Sequence, residues 1–469
     1  MHILLITCDE LRRDALDCYG GQAVQTPHLN ALAARGVRFD NCYTVSPLCL
    51  PARCAILTGQ YPHRSGAYSN FRKCALDRGI PNLFGQMHTA GYQNAVIGKC
   101  HFAPVPYSQT RADRTLPYDE FAQYYRSLGI DHLDLQDDKQ VSVWFYDDYS
   151  KELEAHGYLK AYRDATWNRE YGKVFPFPGP EEWHPDAWVG GKTVRYLKGA
   201  DPKKPTFTWV SFSGPHYPFD APASYRDRVD TSKLPGKDIM PEELSGPGRI
   251  HHDSYWGNGR ADGAGQAKDR ACVNFSDEYW HELQWQYYAN VELIDEKVGE
   301  ILAAAEAAFG DDLLVLFTAD HGEMLGHHGI WGKHDCAYDD VWRIPLLMRQ
   351  PGVEALVSDA IVNLLDILPT CLAAAGAPPI PCDGRDLKEQ MKSGGYDYTF
   401  AESEGFMAVT DGKQKLVHVQ KASGIFDEFL DREKDPGERR SLIHEAGCEK
   451  DVARLRGKII EHMMPALLP

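Results

Sequence analysis

Four short apolar runs in this chain each end abruptly on side chains able to do chemistry. The run from Ile3 to Cys8 stops at Asp9 and Glu10, and the run from Asn94 to Ile97 leads into Gly98-Lys99-Cys100-His101. The run from Phe207 to Phe212 leads to Pro215-His216, and that from Leu313 to Ala319 to Asp320-His321-Gly322. Two carboxylates brought onto neighbouring loops, such as Asp9 and Asp320, do not both stay ionised without a cation between them. Oxygen-rich donors favour Ca²⁺ or Mg²⁺ over Zn²⁺. The plain alternatives are a helix cap for Asp9 and a turn residue for Asp320. A further segment, Ser46 to Gly59, holds Cys49-x-Pro51-x-Arg53. Pro51 suits a first helical turn, where its missing N–H would be unpaired anyway. Cys49 then lies just ahead of a helix N-terminus with Arg53 one turn on, where an anion or a thiolate is stabilised. The competing reading makes Cys49 a small buried hydrophobe, as the other eleven cysteines are taken to be. Lys99, His101, His216 and Lys333 form a cationic or proton-transferring set. A lone lysine is more simply a solvated charge, but Lys99 and Lys333 each follow glycine beside a His or Trp.

Elements must bring these residues together. Buried runs of four to eight β-prone residues alternating with helical periodicity (29–35, 83–90, 188–197 and 279–308) predict a mostly parallel sheet sandwiched by helices. In such sheets ligands sit beyond the carboxyl ends of the strands, where all four runs place their polar residues. Residues 105–205 are aromatic and charged without clear period, and 245–274 read as a long loop or flap. After Gly376, Ala377-Pro-Pro-Ile-Pro381 reads as a linker. Short strands with a turn at Asp411-Gly412 and a last helix over 451–464, its apolar face including Met463 and Met464, follow. The expected division is a catalytic α/β domain over 1–375 and a small C-terminal α+β subdomain with an antiparallel sheet over 376–469.

Composition bounds the partners. With 50 Lys+Arg against 67 Asp+Glu the net charge is −17, which argues against nucleic acid, since phosphate contacts need a basic face. No apolar run reaches the roughly 18 residues of a membrane span, and residues 2–7 are too short an apolar stretch for a signal peptide. Twelve irregularly spaced cysteines fit reduced thiols. The expectation is a soluble, cytoplasmic protein.

Cys49-x-Pro51-x-Arg53 with Thr58-Gly59 downstream resembles the signature of the type I sulfatases of the alkaline phosphatase superfamily. The resemblance runs through Asp9-Glu10-Leu-Arg12-Arg-Asp14, Thr26-Pro27-His-Leu29, Gly98-Lys99-Cys-His101, Pro215-His216, Asp320-His321-Gly322-Glu323 and Trp331-Gly332-Lys333, to the segment from Phe426 to Glu438. It implies an alkaline-phosphatase-like fold and a cysteine oxidised by a formylglycine-generating or maturase enzyme to formylglycine, which acts as its hydrate. It further implies one divalent metal, Ca²⁺ ahead of Mg²⁺ or Mn²⁺, bound by Asp9, Glu10, Asp320, His321 and residue 49. Position 10 is Glu where many members have Asp, and position 321 is His where arylsulfatases often have Asn. By resemblance Arg53 stabilises the hydrate, Lys99 and His101 orient the sulfate and the hydrate, and His216 or Lys333 is the general acid.

The resulting expectation is a sulfuric ester hydrolase acting on a small aryl, alkyl or sugar sulfate through a covalent sulfo-enzyme intermediate. Its rivals are a phosphonate monoester or phosphodiester hydrolase on the same formylglycine scaffold, a thiolate hydrolase with unmodified Cys49, and a binder of sulfated ligands without turnover. Three features remain outside this reading. His327, His328 and His334 resemble a metal tract but are read as ordinary loop histidines. His63-Arg64 could line the pocket or cap a turn. The aromatics over 144–149 could stack substrate or rim a homo-oligomer contact.

Overall fold

The structure, a computed structural model, describes residues 1–70, 76, 79–102, 118–139, 146–167, 174–245, 249–257, 271–333, 336–421 and 424–464. Trp144, Tyr171 and His334 lie outside the described residues, as do the stretches 246–248 and 258–270 of the expected flap.

Eight strands build the central sheet: β1 (His2–Asp9), β2 (Val37–Tyr43), β3 (Gln93–Gly98), β4 (His132–Leu135), β5 (Thr206–Pro215), β6 (Leu313–Ala319), β7 (Arg343–Arg349) and β8 (Leu356–Asn363). Their order is β4-β3-β5-β1-β6-β7-β2-β8, and every neighbouring pair is parallel except the two that β7 makes. All eight residues of β1 and all ten of β5 are buried, as the continuous apolar runs require of strands covered by helices. Helices Pro185–Lys198 and Asp277–Phe309 pack on β5, and helix Ile367–Ala375 on β1. The long helix starts where Ser276 accepts a hydrogen bond from the Tyr279 amide and Asp277 and Glu278 meet the positive end of the helix dipole.

Beyond helix Leu387–Ser393, strands β9 (Thr399–Ser403), β10 (Phe406–Thr410), β11 (Gln414–Lys421) and β12 (Gly424–Asp431) form a separate antiparallel sheet in the order β12-β11-β10-β9. Val452 and Leu455 of the last helix, Glu449–Met463, join Val409, Leu416 and Phe429 in its small core. Met464 is instead 47% exposed, so the inner face of this helix is set by Val452 and Leu455.

The unpatterned stretch 105–205 carries helices Tyr118–Ser127, Asp148–Ala155 and Leu159–Trp167 besides the one foreseen over 188–197. The expected flap carries the short helix His252–Trp256. Among the described residues no helix is long and apolar enough to cross a membrane.

Candidate active site

The carboxyl ends of β1, β3, β5 and β6 deliver the side chains that the four apolar runs point to. At the end of β1 the pairing with β5 shifts between Cys8 and Asp9, so that Asp9 stands opposite Pro215. A bulge of this kind re-aims a side chain next to a site. Glu10 follows in the left-handed region at φ 62°, and its amide donates to Asp320 Oδ1 at 3.2 Å. Gly98 closes β3 at φ 106°, where a Cβ would stand 2.0 Å from the Ser211 carbonyl oxygen; only glycine lets β3 approach β5 closely enough to place Lys99.

Cys49 is the first residue of helix Cys49–Thr58, one position further into the helix than the sequence pattern implies. Leu48, the cap, offers no side-chain acceptor; instead Asn70 Oδ1 takes the Leu50 amide at 2.9 Å, and Pro51 has no amide to satisfy. Gly59 ends the helix at φ 64°. All ten helical residues are buried, Arg53 included.

Around Cys49 Sγ stand Lys333 Nζ at 3.1 Å, His321 Nε2 at 3.2 Å and Asp9 Oδ1 at 3.4 Å. His321 Nε2 is 3.5 Å from Asp9 Oδ1 and 3.6 Å from Asp320 Oδ1. Asp9, Cys49, Asp320 and His321 thus each bring one donor atom within 4.8 Å of the others, all buried. Arg53 donates from Nε to Asp320 Oδ2 at 2.9 Å and from Nη1 to Ser211 Oγ at 2.6 Å. Lys99 pairs with Asp9 and, at 2.8 Å, with Asp138. Glu10 stands outside this group of four. Its Oε1 receives Lys333 Nζ at 2.6 Å and lies 3.8 Å from His216 Nε2, so its carboxylate faces the cations.

Electrostatics follow from this crowding. Burial pushes the Asp9 carboxyl up, but Lys99, His216 and Lys333 outweigh it and hold it well below the usual range. Burial and the Asp9 charge push Asp320 up instead. His321, against the cost of burial, is raised to about 9 by Asp320. Burial and Asp9 push the Cys49 thiol up, yet Lys333, Lys99 and His321 together hold it well below its ordinary value. Lys333, despite burial, is held well above its usual range by Cys49, Glu10 and Asp9. Two carboxylates, an imidazole and the residue 49 atom therefore converge where a positive charge is wanted, and the donor set fits a divalent cation.

His101 is buried at φ 50°, its amide held by Asp137 Oδ1 at 2.9 Å. Among the described residues its two ring nitrogens have no partner, and neither do Arg53 Nη2, Glu10 Oε2, Ser46 Oγ and Ser213 Oγ. Buried polar atoms are ordinarily paired, so Arg53 Nη2 and Glu10 Oε2, on side chains that hold Asp320 and Lys333, are available to a polar ligand. Tyr217 O accepts from the His216 ring at 2.6 Å, which fixes that imidazole's orientation.

The structure brings Asp9, Cys49, Arg53, Lys99, Asp320, His321 and Lys333 together through direct contacts, with Glu10 and His216 beside them. Asp138 was not singled out from sequence. It pairs with Lys99 and groups with Asp9 and His216. The signal was present, because β4 also runs straight into polar residues, Gln136-Asp137-Asp138, although four residues make a faint strand.

A sequence profile of the Sulfatase family matches residues 1–377. The arylsulfatase of Clostridium perfringens is 28% identical over 482 residues, spanning 98% of this chain and 94% of that one. The N-acetylglucosamine-6-O-sulfatase of Bacteroides thetaiotaomicron is 28% identical over 488 residues, spanning 96% and 84%. The phosphonate monoester hydrolase of Agrobacterium radiobacter shares the fold with a TM-score of 0.80, at 23% identity over 99% of this chain and 96% of that one. The profile covers most of the chain and the curated sulfatases align over nearly all of it: the chain belongs to the sulfatase family of hydrolases, within the alkaline-phosphatase-like superfamily.

Proposed function

We propose that this enzyme hydrolyses a small sulfate monoester, with position 49, converted from cysteine to formylglycine by a maturase, as its nucleophile. The observation that carries the reading is the surroundings of Cys49 Sγ. A side chain at a helix N-terminus, within 3.4 Å of Lys333, His321 and Asp9, is placed to act on an anionic centre. The family relationship supports the sulfate ester and the modification. A divalent cation at Asp9, Asp320, His321 and residue 49, with Ca²⁺ best suited to the carboxylate oxygens, would stabilise negative charge developing at position 49. The aldehyde hydrate supplies one hydroxyl for attack on sulfur and a second whose deprotonation expels sulfate.

The chain's own residues do the rest. Lys99 and Lys333 bring positive charge to the sulfuryl oxygens, and His101 brings two unpaired ring nitrogens. Arg53 holds Asp320 and keeps Nη2 free for the hydrate. The leaving oxygen gains charge as the S–O bond breaks and needs a proton. His216, beside Glu10, or Lys333, 3.1 Å from the residue 49 atom, is placed to supply it. Glu10 sits between Lys333 and His216 and orients both. The catalytic groups all come from residues 9–333, and we take 376–469 as a supporting subdomain. The irregular spacing of the cysteines supports a reducing, cytoplasmic setting.

Steady-state rates on an aryl sulfate and the matching aryl phosphonate, with Ca²⁺ saturating, test the reading. A higher kcat/KM on the sulfate is expected. A higher value on the phosphonate would assign the site to phosphonate or phosphodiester hydrolysis instead.

A further inference from the structure

Five residues past the nucleophile helix, His63 is the second residue of the short helix Pro62–Ser65, and its ring does not enter the set around Cys49. Its Nδ1 lies 2.8 Å from Glu402 Oε1, and His462 Nε2, from the last helix, lies 2.5 Å from the same oxygen. The three donor atoms lie within 4.8 Å of one another. Glu402 is fixed on both sides: its Oε2 accepts from the His63 amide at 3.0 Å, and its own amide donates to Val45 O at 2.7 Å. The His462 ring is stacked on Phe400 with centroids 3.9 Å apart and met edge-on by Tyr61 at 4.5 Å, so its nitrogen is aimed by packing. The Glu402 side chain is fully buried, whereas His63 keeps 3% and His462 10% of their side-chain surface, so the trio lies just beneath the surface.

We propose that His63, Glu402 and His462 form a second metal site, for a divalent transition ion of the zinc class, which clips the C-terminal helix onto the catalytic domain. Two imidazole nitrogens and one carboxylate oxygen suit Zn²⁺ or Co²⁺, in contrast to the carboxylate-dominated set at Asp9 and Asp320. Ligands about 2.0–2.1 Å from a tetrahedral ion stand roughly 3.3 Å apart. The present 2.5 and 2.8 Å separations therefore need to open by less than about 1 Å. Water would complete the fourth position on the solvent side. The ion would bridge three separate stretches of chain: the helix after the nucleophile, β9 and the last helix.

The test uses full-length protein carrying Cys49→Ala and Asp320→Asn, so that the catalytic cluster no longer competes, freed of metal and titrated with Co²⁺ and then Zn²⁺. One equivalent should bind, with the visible absorption of a tetrahedral Co²⁺ centre and a rise in Tm, and Zn²⁺ should displace the colour. Adding His462→Ala, or the isosteric Glu402→Gln if the alanine variant does not fold, should abolish both signals. Unchanged Co²⁺ binding in these variants would overturn the proposal. So would failure of the folded parent to bind, which would leave the trio as a proton-sharing contact only.

Discussion

Two buried clusters of charge in this molecule are built to opposite ends. Where the segment after 248 meets β12, Arg249 donates from Nε and Nη2 to Glu428 at 2.9 and 3.2 Å and from Nη2 to Glu438 O at 3.0 Å. It also donates from Nη1 to Arg439 O. Glu428 takes the Ile250 amide and the Tyr338 hydroxyl as well. That cluster is closed: each guanidinium nitrogen and both carboxylate oxygens are paired. Around Cys49 the charges are as deeply buried, yet Arg53 Nη2 and Glu10 Oε2 have no partner among the described residues. A closed network serves the fold, because removing either partner leaves a buried charge alone. An open one is costly to the fold and is retained where a ligand completes it.

Substitutions should separate the two clusters, the open one through rate and the closed one through stability. Cys49→Ala should lower kcat by about 10⁴-fold or more with Tm nearly unchanged, since the nucleophile and its supporting groups act as a unit. Glu428→Gln should do the reverse, costing about 3–5 kcal/mol at pH 7 with kcat of the folded fraction intact. Burial pushes Glu428 up, but Arg249 holds it down to about 2, against an ordinary 4.5. Its stabilising contribution is therefore complete above 4.5 and lost as pH falls toward about 2. Denaturant melts of wild type and Glu428→Gln should accordingly converge over that window; a constant gap would sink the assignment. Lys333→Ala should lower kcat by about 10²–10³-fold, as for loss of one donor to a developing charge. The smallest change should come from Asp138→Asn, about tenfold in kcat/KM, because Asp138 acts through Lys99. If Asp138→Asn instead matched Lys333→Ala, Asp138 would belong among the groups that touch substrate.

Much of the site was legible because its residues end buried strands, where an apolar run followed by Asp, Lys or His leaves a sharp signature. The sheet's order was less legible. β2 alternates Val-Arg-Phe-Asp and β8 opens on exposed Leu356 and Val357, so neither gives a continuous apolar run. The antiparallel turn of β7 depends on pairing that no local pattern encodes. Glu10 shows a further limit: its place beside Asp9 marks it as a candidate metal ligand, but nothing local signals that its carboxylate also meets Lys333 at 2.6 Å. The trio of His63, Glu402 and His462 was invisible for a different reason, being scattered from one end of the chain to the other.

The account rests on what stands at position 49. Intact-mass measurement on enzyme purified from its native host, followed by mapping of the peptide spanning Cys49, tests it most directly. Conversion of CH₂SH to CHO lowers the mass by about 18 Da at that residue. The account predicts this lighter species and sulfatase activity in proportion to it; full activity from enzyme bearing an unmodified Cys49 would contradict it.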